Sequence, residues 1–535
     1  MADSTPQRPE QRRDLSFYFV LLFLVGPLWC AVPLSWAFVL YSLHTGRIWL
    51  YAWQGRTVFA VALCEVFFSV YHHNLSRYVA STPPQPPGNP EEVRAAYTRA
   101  VKAGLFVFPE DAFDGENLDA SRPGSPAEDI VQLEHDDSRA EEYRNVLRTW
   151  FRHAPWSAIR LYEIKKWLYW CIFNSHLPPD HEIPDTHRSV LDEALDLLRK
   201  RTGTTVFEES PSKHQPLLLT LDSVKIHWRP FAFYALVGTF SRLLKLYLVR
   251  NRRVRFGSYD GLEYLIRIPS QWDSHHGPRP IVFVHGLGLG LLQYQSFVLR
   301  LLDEFPDRPV FILLQSHISQ DFFHRDYLRP MNRHDTTQRL AALFLRLGWV
   351  RPIRDTSSDE EEDIDTQNVA SSLLSNQKGV TFVSHSNGSY CHAWMLKNYP
   401  HMVTRSCFVD PVTFCSWEGD VCYNFVYRPC TTGMHLLMRY FVSSELGTAN
   451  LLQRHFDWSS NSLWYEEIPH ARDPSKSFFL VGGKDEIVHA ERVARYLRGH
   501  GIRKGFWMDP EGRHGSALAS GGEGHQAILE WLREE

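Results

Sequence analysis

The sequence predicts a protein of the α/β class, in which a mostly parallel sheet is flanked by helices. From residue 254 onward, short apolar segments alternate with amphipathic ones, which is the pattern of buried strands connected by helices. A sharp strand–turn–helix motif lies within this part of the chain, at residues 380–389. A long uncharged run near the N-terminus predicts, in addition, a membrane segment that precedes a helical region and the α/β domain.

The length and charge of the chain restrict its organisation and its partners. With 535 residues, it is long enough for two domains or for one large domain with insertions. The net charge of −4 provides no general basic field, so nucleic acid is not expected as a partner. Aromatic residues make up 13% of the chain and include 17 Trp, a surplus typical of membrane interfaces and lipid-lined cavities.

The first element is an uncharged run from Leu15 to Leu43, which follows a basic polar tail at residues 1–14. About 20 apolar residues span a bilayer as a helix, so the run is long enough to do so. A secretory signal would have a shorter apolar stretch and a small-residue cleavage site. Gly26, Pro27 and Pro33 lie inside the run and either kink one spanning helix or turn a hairpin within it.

A second apolar run, from Thr57 to Tyr71, contains one charged residue, Glu65. Its 15 residues are short for a span and suit a helix that lies in the membrane interface. We therefore expect residues 15–80 to form a membrane anchor, as one span or a hairpin with this run as a second short segment. Membrane lipids are the expected partners, and the endoplasmic reticulum and lipid droplets are candidate locations.

Residues 81–253 are expected to form a Pro-rich linker followed by a helical region. Within it, the segment Trp150–Phe173 combines Trp and Tyr with Arg and Lys. This pattern predicts an amphipathic helix that either lies in the membrane interface or packs against the next domain. The uncharged stretch Pro230–Ser241 leads into a basic run, which is more typical of a solvated helix end than of a contact with lipid head groups.

The α/β domain is predicted to occupy residues 254–535. Helical stretches such as Thr336–Leu347 and Tyr390–Asn398 separate its strands. An acidic block within residues 354–372 is too highly charged to bury, so we expect a surface insertion there. The strands are predicted at Leu262–Ile268, Ile281–Val284, Val310–Leu314, Val380–Val383, Cys407–Val409 and Phe478–Val481.

The most specific motif is Ser384-His385-Ser386-Asn387-Gly388, which connects a predicted strand to a predicted helix. It has the small-x-Ser-x-Gly form of a nucleophile elbow, a turn so sharp that larger flanking side chains would clash. Such a turn would hold the Ser386 hydroxyl clear of the sheet, at the N-terminus of the helix. Because a serine hydroxyl barely ionises at neutral pH, Ser386 would need a base within hydrogen-bond reach.

Candidate partners for Ser386 follow later in the chain. His514 comes after the strand-like segment 505–508 and is the candidate base, since the ordinary pKa of histidine is near ~6.5. Asp485 follows the last strand predicted above, and it would orient the imidazole and stabilise its charged form. Asp410, which follows an earlier strand, is the alternative acid.

An oxyanion hole is predicted next to the first parallel strand. His285 and Gly286 follow the strand Ile281–Val284 and are expected to shape the loop. The backbone N–H groups of Leu287 and Asn387 would stabilise the negative charge that develops on a substrate carbonyl. The sequence shows no constellation of metal ligands and no cofactor motif, so no metal and no cofactor are expected.

Residues 411–476, between two core strands, are rich in Trp, Tyr and Phe and are expected to form a cap. An aromatic cap over a serine nucleophile suits an apolar acyl or lipid chain, and the alternative is a cap that only packs on the core. Cys415, Cys422 and Cys430 lie in this cap. They could pair in a domain that faces a lumen, whereas in the cytosol they would be buried thiols.

On these residues, the stretch 254–535 resembles an α/β-hydrolase domain, because the elbow and the order Ser386, Asp485, His514 match that superfamily. Ser384 departs from the commonest elbow, which has glycine at that position. More narrowly, the chain resembles the membrane-anchored α/β-hydrolase-1 proteins of fungi. The elbow, the ordered acid and base, the aromatic cap and the anchor predict a membrane-associated serine hydrolase that cleaves or transfers acyl esters through an acyl-enzyme. The expected substrates are small-molecule or lipid esters, with lipid-derived esters favoured. The alternative is a non-catalytic membrane scaffold or lipid-binding protein with a hydrolase-like pocket.

Overall fold

The computed structural model describes residues 12–105, 130–204, 212–350 and 379–534. The acidic block at 354–372 and most of the tail at 1–14 lie outside the described residues. The strands are β1 Arg255–Tyr259, β2 Leu262–Arg267, β3 Ile281–Val284, β4 Val310–Leu313, β5 Val380–His385, β6 Val403–Val409, β7 Ser477–Gly482 and β8 Phe506–Asp509.

The structure describes short and long α-helices. The short helices Asp420–Cys422 and Trp458–Asn461 belong to the cap segment. The longer helices are α1 Leu15–His44, α2 Trp53–Ser81, α3 Pro90–Lys102, α4 Ser138–Leu147, α5 Leu161–Phe173, α6 Asp185–Thr202, α7 Phe231–Asn251, α8 Gln295–Glu304, α9 Arg333–Arg346, α10 Gly388–Asn398, α11 Gly433–Met438, α12 Leu446–Arg454, α13 Ala490–Gly499 and α14 Glu523–Arg533.

The described strands form one eight-stranded sheet with the order β1-β2-β4-β3-β5-β6-β7-β8. Strand β2 is antiparallel to both of its neighbours, and every other pairing is parallel. Parallel neighbours require crossover connections, and here these contain helices. The α/β class and the α/β-hydrolase fold predicted from the sequence are confirmed.

Strand β3 shows why helices cover both faces of the sheet. All four of its residues are buried, and they alternate between two apolar clusters. Val282 and Val284 belong to a cluster that includes residues of α9, α10 and α13. Ile281 and Phe283 belong to a second cluster that includes residues of α8 and α14. The carboxyl ends of the parallel strands therefore meet at one edge of a sheet that is buried on both sides.

The aromatic segment at 150–173 packs against the protein core. It is not one helix, since two 3₁₀ turns precede α5. Trp150, Trp167 and Trp170 are 3%, 5% and 3% exposed, and their cluster includes residues of the cap segment. The indole of Trp150 donates a hydrogen bond to the backbone oxygen of Trp417, 2.9 Å away. Of the two alternatives for this segment, the structure supports packing against the next domain.

Three of the described helices are long and apolar enough to cross a membrane, namely α1, α2 and α7. Of the two alternatives for the prolines of the first run, the structure supports one continuous helix and not a hairpin turn within the run. The helix continues through Pro27 and Pro33, and a π-helical stretch at Leu21–Val25 directly precedes Gly26 and Pro27. A π-helical turn accommodates the missing N–H and the bulk of a proline ring without ending the helix.

The turn between the first two apolar helices lies at residues 45–52 instead. Helices α1 and α2 then pack side by side through Val39, Phe59 and Val66, and we call this pair the apolar hairpin. The second segment, expected to be short, is a helix of 29 residues. Helix α7 was expected as a helix with a solvated basic end, and its length and apolar, outward-facing side chains were not recognised, because basic residues follow Ser241.

Candidate active site

The backbone around Ser386 has the geometry of a sharp elbow. Ser386 follows β5 directly and has φ +52°, a left-handed conformation that non-glycine residues rarely adopt. Gly388 opens α10, and a Cβ placed on it would lie 2.3 Å from the backbone oxygen of Val284. A Cβ on Gly286 would lie 2.8 Å from the Cβ of Ser386. These close approaches explain why glycine is required at 388 in the elbow and at 286 in the neighbouring loop after β3.

Ser384, which replaces the usual glycine of the elbow, is completely buried and has a defined role. Its hydroxyl lies 2.9 Å from Nδ1 of His392 on α10. The other ring nitrogen of His392 lies 3.0 Å from the Ser406 hydroxyl on β6. The substitution thus joins three neighbouring elements of the core through one buried histidine.

The structure brings Ser386, His514 and Asp485 together. Nε2 of His514 lies 2.8 Å from Oγ of Ser386, and its Nδ1 lies 2.6 Å from Oδ2 of Asp485. The other carboxylate oxygen of Asp485 accepts hydrogen bonds from the backbone N–H groups of Ile487 and Val488, at 2.7 and 3.0 Å. A neutral His514 that donates from Nδ1 to Asp485 presents Nε2 as an acceptor to the serine hydroxyl.

The charges around His514 favour its protonated form. Burial by itself lowers the pKa of His514, but the adjacent Asp485 carboxylate, its hydrogen bond and the more distant Asp410 together raise that pKa to about 9. A base with a raised pKa accepts a proton readily, provided that it is neutral beforehand.

Asp410, the alternative acid, makes no hydrogen bond to His514. Its Oδ1 accepts from the N–H of Gly482 at 2.9 Å, and its Oδ2 accepts from the N–H of Gly515 at 2.7 Å. Burial raises the pKa of Asp410 to about 6, and the neighbouring Asp485 charge acts in the same direction. The geometry therefore favours Asp485 as the partner of the imidazole and gives Asp410 a position behind it.

The expected oxyanion loop lies beside Ser386. Within the described residues, neither the Leu287 N–H nor the Asn387 N–H donates to a protein acceptor, so both remain available to a ligand oxygen. Gln293 holds the loop, because its side chain donates to the Leu287 carbonyl and accepts from the Leu289 N–H, both at 2.9 Å. His285 is buried and bonds through Nδ1 to the Gly286 carbonyl, 2.9 Å away.

Tyr294 is a residue of the site that the sequence did not reveal. Its hydroxyl accepts from the Gly286 N–H at 3.0 Å and lies 2.7 Å from Nδ1 of His385. Burial lowers the pKa of His385 well below its usual value, so this ring is neutral, and its Nε2 lies 3.8 Å from Asp410. His385 therefore supports the elbow from behind. In the sequence, the only sign of its contact with Tyr294 is the position of a tyrosine shortly after the oxyanion loop.

A cavity of about 380 Å³ opens above Ser386. Its walls come from the oxyanion loop, from α10, from the cap segment and from the loops that carry Asp485 and His514. The apolar lining includes Val412, Val421, Phe425, Met434, Met438, Val442, Leu452, Ile487 and Leu518. A cavity of this size and character suits an apolar chain attached to a reactive carbonyl.

Ligand atoms of Asp410, Asp485 and His514 lie within 4.8 Å of one another, which is close enough to consider a metal site. Each group is already engaged, however: both oxygens of Asp410 accept from backbone N–H groups, and His514 bonds through both ring nitrogens. This arrangement is better matched to proton transfer than to metal ligation. All eight cysteines lie in the described residues and are free thiols, including Cys415, Cys422 and Cys430 of the cap.

Comparison with known proteins finds no family model and no curated protein that matches this chain. Solved structures align with about half of it. A membrane phospholipase A, a bacterial virulence factor, is 14% identical with a TM-score of 0.33, over 57% of this chain and 94% of its own. A carboxyl esterase from the mycorrhizal fungus Tuber melanosporum is 16% identical with a TM-score of 0.31, over 52% and 86%. A thermophilic esterase from Thermogutta terrifontis is 14% identical with a TM-score of 0.29, over 52% and 97%. These values are too low to carry an inference about activity.

Proposed function

We propose that this protein is a membrane-associated serine hydrolase that cleaves, or transfers, the acyl group of lipid-derived esters. The observation that carries the proposal is the continuous hydrogen-bonded chain from Ser386 through His514 to Asp485, at 2.8 and 2.6 Å. Serine, histidine and aspartate in this order of contact form the arrangement that activates a hydroxyl for attack on a carbonyl.

In the proposed reaction, Oγ of Ser386 attacks the ester carbonyl carbon while its proton passes to Nε2 of His514. The carbonyl oxygen becomes an oxyanion, which the N–H groups of Leu287 and Asn387 stabilise. The intermediate collapses, the C–O bond to the alcohol breaks, and His514 returns the proton to that alcohol. Water, or a second alcohol, then repeats the sequence on the acyl-enzyme and releases the acid or a new ester.

The cavity and the apolar hairpin support a lipid-derived substrate. The cavity is lined mainly by aliphatic and aromatic side chains, and the helices of the hairpin expose large apolar residues. An apolar chain gains about 0.8 kcal/mol per buried CH₂, so such a cavity favours long acyl groups over short ones. We propose residues 15–80 as the membrane anchor and 254–535 as the hydrolase domain, with the cap at 411–476. We also propose a relationship to the fungal membrane-anchored α/β-hydrolase-1 proteins, which rests on the sequence motifs.

Labelling with a fluorophosphonate probe tests the proposal, since such a probe reacts only with an activated serine. Wild-type protein in membrane fractions should label, and Ser386→Ala should not. Ser296→Ala, which removes an exposed serine on α8, is the matched control and should label like the wild type. A well-folded wild type that does not label would contradict the proposal and favour a lipid-binding scaffold.

A further inference from the structure

The cap helix α11 lies between the apolar hairpin and the candidate active site. On one face, Met434, Met438 and, in the π-helical continuation, Val442 line the cavity above Ser386. These positions are spaced by four residues, so they share one face of the helix. On the other face, Leu436 and Tyr440 belong to a cluster with residues of α1. One short helix therefore forms both a wall of the cavity and a docking surface for the hairpin.

The contact between α1 and α11 is close and specific. The N–H of Asp14 donates to the Thr431 carbonyl at 2.9 Å, and the N–H of Gly433 donates to the Ser16 hydroxyl at 2.8 Å. A Cβ on Gly433 would lie 2.7 Å from the Ser16 carbonyl oxygen and 2.9 Å from a methyl group of Val20. The first turn of α1 is thus fixed against the first turn of the cap helix.

The outward surface of α1 becomes apolar at this same level. Leu15, Phe19, Leu22 and Phe23 are 89%, 60%, 65% and 65% exposed, beginning with the first residue of the helix. Charged residues precede them, since Arg12 and Arg13 are both exposed. A helix that changes from basic to apolar at its first turn enters a membrane there, with its basic residues among the lipid head groups.

The rim of the cavity, like the first turn of α1, places apolar side chains next to basic ones. Met434 is 39% exposed, so an apolar side chain lies at the surface beside the first turn of α1. Arg513 and Ala519 also line the cavity and are exposed. Lys484, which is paired with Glu511, and the acidic Glu486 line it as well. Apolar side chains next to an exposed arginine are typical of surfaces that lie in the head-group layer of a membrane.

We propose that the cavity above Ser386 opens into the head-group layer of the membrane that holds the hairpin, and that its substrate is an ester lipid resident in that leaflet. The lipid enters beside α11 without leaving the membrane, acyl chain first, because the apolar rim adjoins the apolar hairpin. This inference rests on the proposed function, and it adds where the substrate comes from: the leaflet itself, and not esters dissolved in water.

Photocrosslinking of the full-length wild type tests the position of the rim without any variant. The protein is reconstituted in phosphatidylcholine vesicles that contain a phosphatidylcholine with a diazirine near its glycerol backbone. We expect crosslinks at residues 434–442 and 513–519 as well as on the first turn of α1. Crosslinks confined to the hairpin, with none in those two segments, would overturn the proposal. This result does not depend on whether Ser386 is active.

A pair of fluorophosphonates tests the route. One carries a long alkyl chain and partitions into the vesicles, and the other is short and water-soluble. Gly433→Ala pushes α11 away from α1, whereas Gly238→Ala on α7 is the matched control, because a Cβ there meets nothing within 4 Å. We expect Gly433→Ala to slow labelling by the long probe about tenfold and to change labelling by the short probe by less than about twofold. Gly238→Ala should change neither rate.

Equal slowing with both probes, or no slowing with the long probe, would overturn the proposed route. Absence of labelling of the wild type by either probe would instead contradict the proposed function, and the crosslinking result would then still report whether the rim lies in the membrane.

Discussion

Asp410 illustrates how a single residue outside the candidate triad can influence its chemistry. Its carboxylate bridges Gly482, at the end of β7, and Gly515, next to His514, and it adjoins His385 behind the elbow. Because its charge also raises the pKa of His514, it acts on the position and on the basicity of the same imidazole. Asp410 therefore both holds the loop that carries His514 and raises the pKa of its imidazole.

Replacing this carboxylate should change the pH dependence of activity. His514 must be neutral to accept a proton, so kcat/KM of the wild type should rise with pH through a pKa of about 9. Asp410→Asn removes a negative charge that raises this pKa, so the rise should move to lower pH. Measured pH profiles of ester hydrolysis check this. Glu511→Gln, a change at an exposed carboxylate, is the control, and an equal shift there would contradict the assignment.

Asp485→Asn should have a larger effect than Asp410→Asn. The amide can no longer hold the Nδ1–H tautomer of His514, and similar changes in serine hydrolases lower kcat about 10⁴-fold. We expect a loss of this order in ester hydrolysis, with the unfolding temperature little changed. If Asp485→Asn retained activity and Asp410→Asn lost it, the roles of the two carboxylates would have to be exchanged.

At the residue scale, the sequence predicts the site residues whose position follows from a strand end. It misses residues that reach the site only through the packing of distant segments. Ser386, Asp485 and His514 each follow a strand of one parallel sheet, so their side chains were expected at the same edge. Tyr294 and Gln293 gave no such signal. They directly precede α8, and the packing of that helix brings them next to the loop and the elbow. The hydrogen bond of Ser384 to His392 was not expected either, because it depends on how α10 packs on the sheet.

At the scale of elements, Glu65 explains how a charged residue is accommodated in an apolar helix. Its carboxylate accepts hydrogen bonds from the N–H groups of Phe231 and Ala232, at 2.6 and 2.9 Å, and so caps the N-terminus of α7. These N–H groups have no partner within their own helix, and a negative charge also suits the positive end of the helix dipole. An isolated charge in the sequence thus marked a contact between two apolar helices.

Removal of this cap should destabilise the protein. Glu65→Ala leaves two partly buried N–H groups without an acceptor, at a cost of roughly 1–3 kcal/mol in the free energy of unfolding. Glu65→Gln keeps one acceptor oxygen and should cost less. Thermal unfolding in detergent micelles measures the difference, with Gln54→Ala, an exposed position on α2, as the control. An unchanged unfolding temperature for Glu65→Ala would show that water replaces the carboxylate.

The buried strands were predicted because they have short, continuous apolar segments that need no distant information, although β6 begins four residues before its predicted start. Strand β1 was missed, because its polar, largely exposed residues give no such signal. The helices α1, α2 and α7 were harder, since their bounds depend on contacts that the local sequence does not show. The π-helical stretch before Pro27 prevents a turn that proline alone suggests. The 29 residues of α2 exceed its apolar run, because its last part packs on the α/β domain through Leu75 and Val79.

At the scale of the whole molecule, both ends of the apolar hairpin are attached to the same body. The start of α1 is held by the hydrogen bond from Asp14 to Thr431 of the cap. The end of α2 is held by Arg454 of α12, whose guanidinium donates to the carbonyls of Val79 and Ala80, each at 3.1 Å. Since the two ends contact one domain, the hairpin must enter and leave the membrane on the same side.

This arrangement predicts the topology of the chain in sealed vesicles. A tag before residue 1 and a tag after residue 535 should lie on the same side, either both digested or both protected when protease is added. In the proposed arrangement α1 enters the membrane at Leu15, and its 30 residues rise roughly 45 Å, which is longer than the ~30 Å hydrocarbon core. A tag inserted in the turn at residues 45–52 should therefore be digested from the side opposite the two terminal tags. Protection of the turn tag from both sides until detergent is added would show that the hairpin ends inside the bilayer, and opposite fates for the two terminal tags would show that α1 and α2 do not form a hairpin in the membrane.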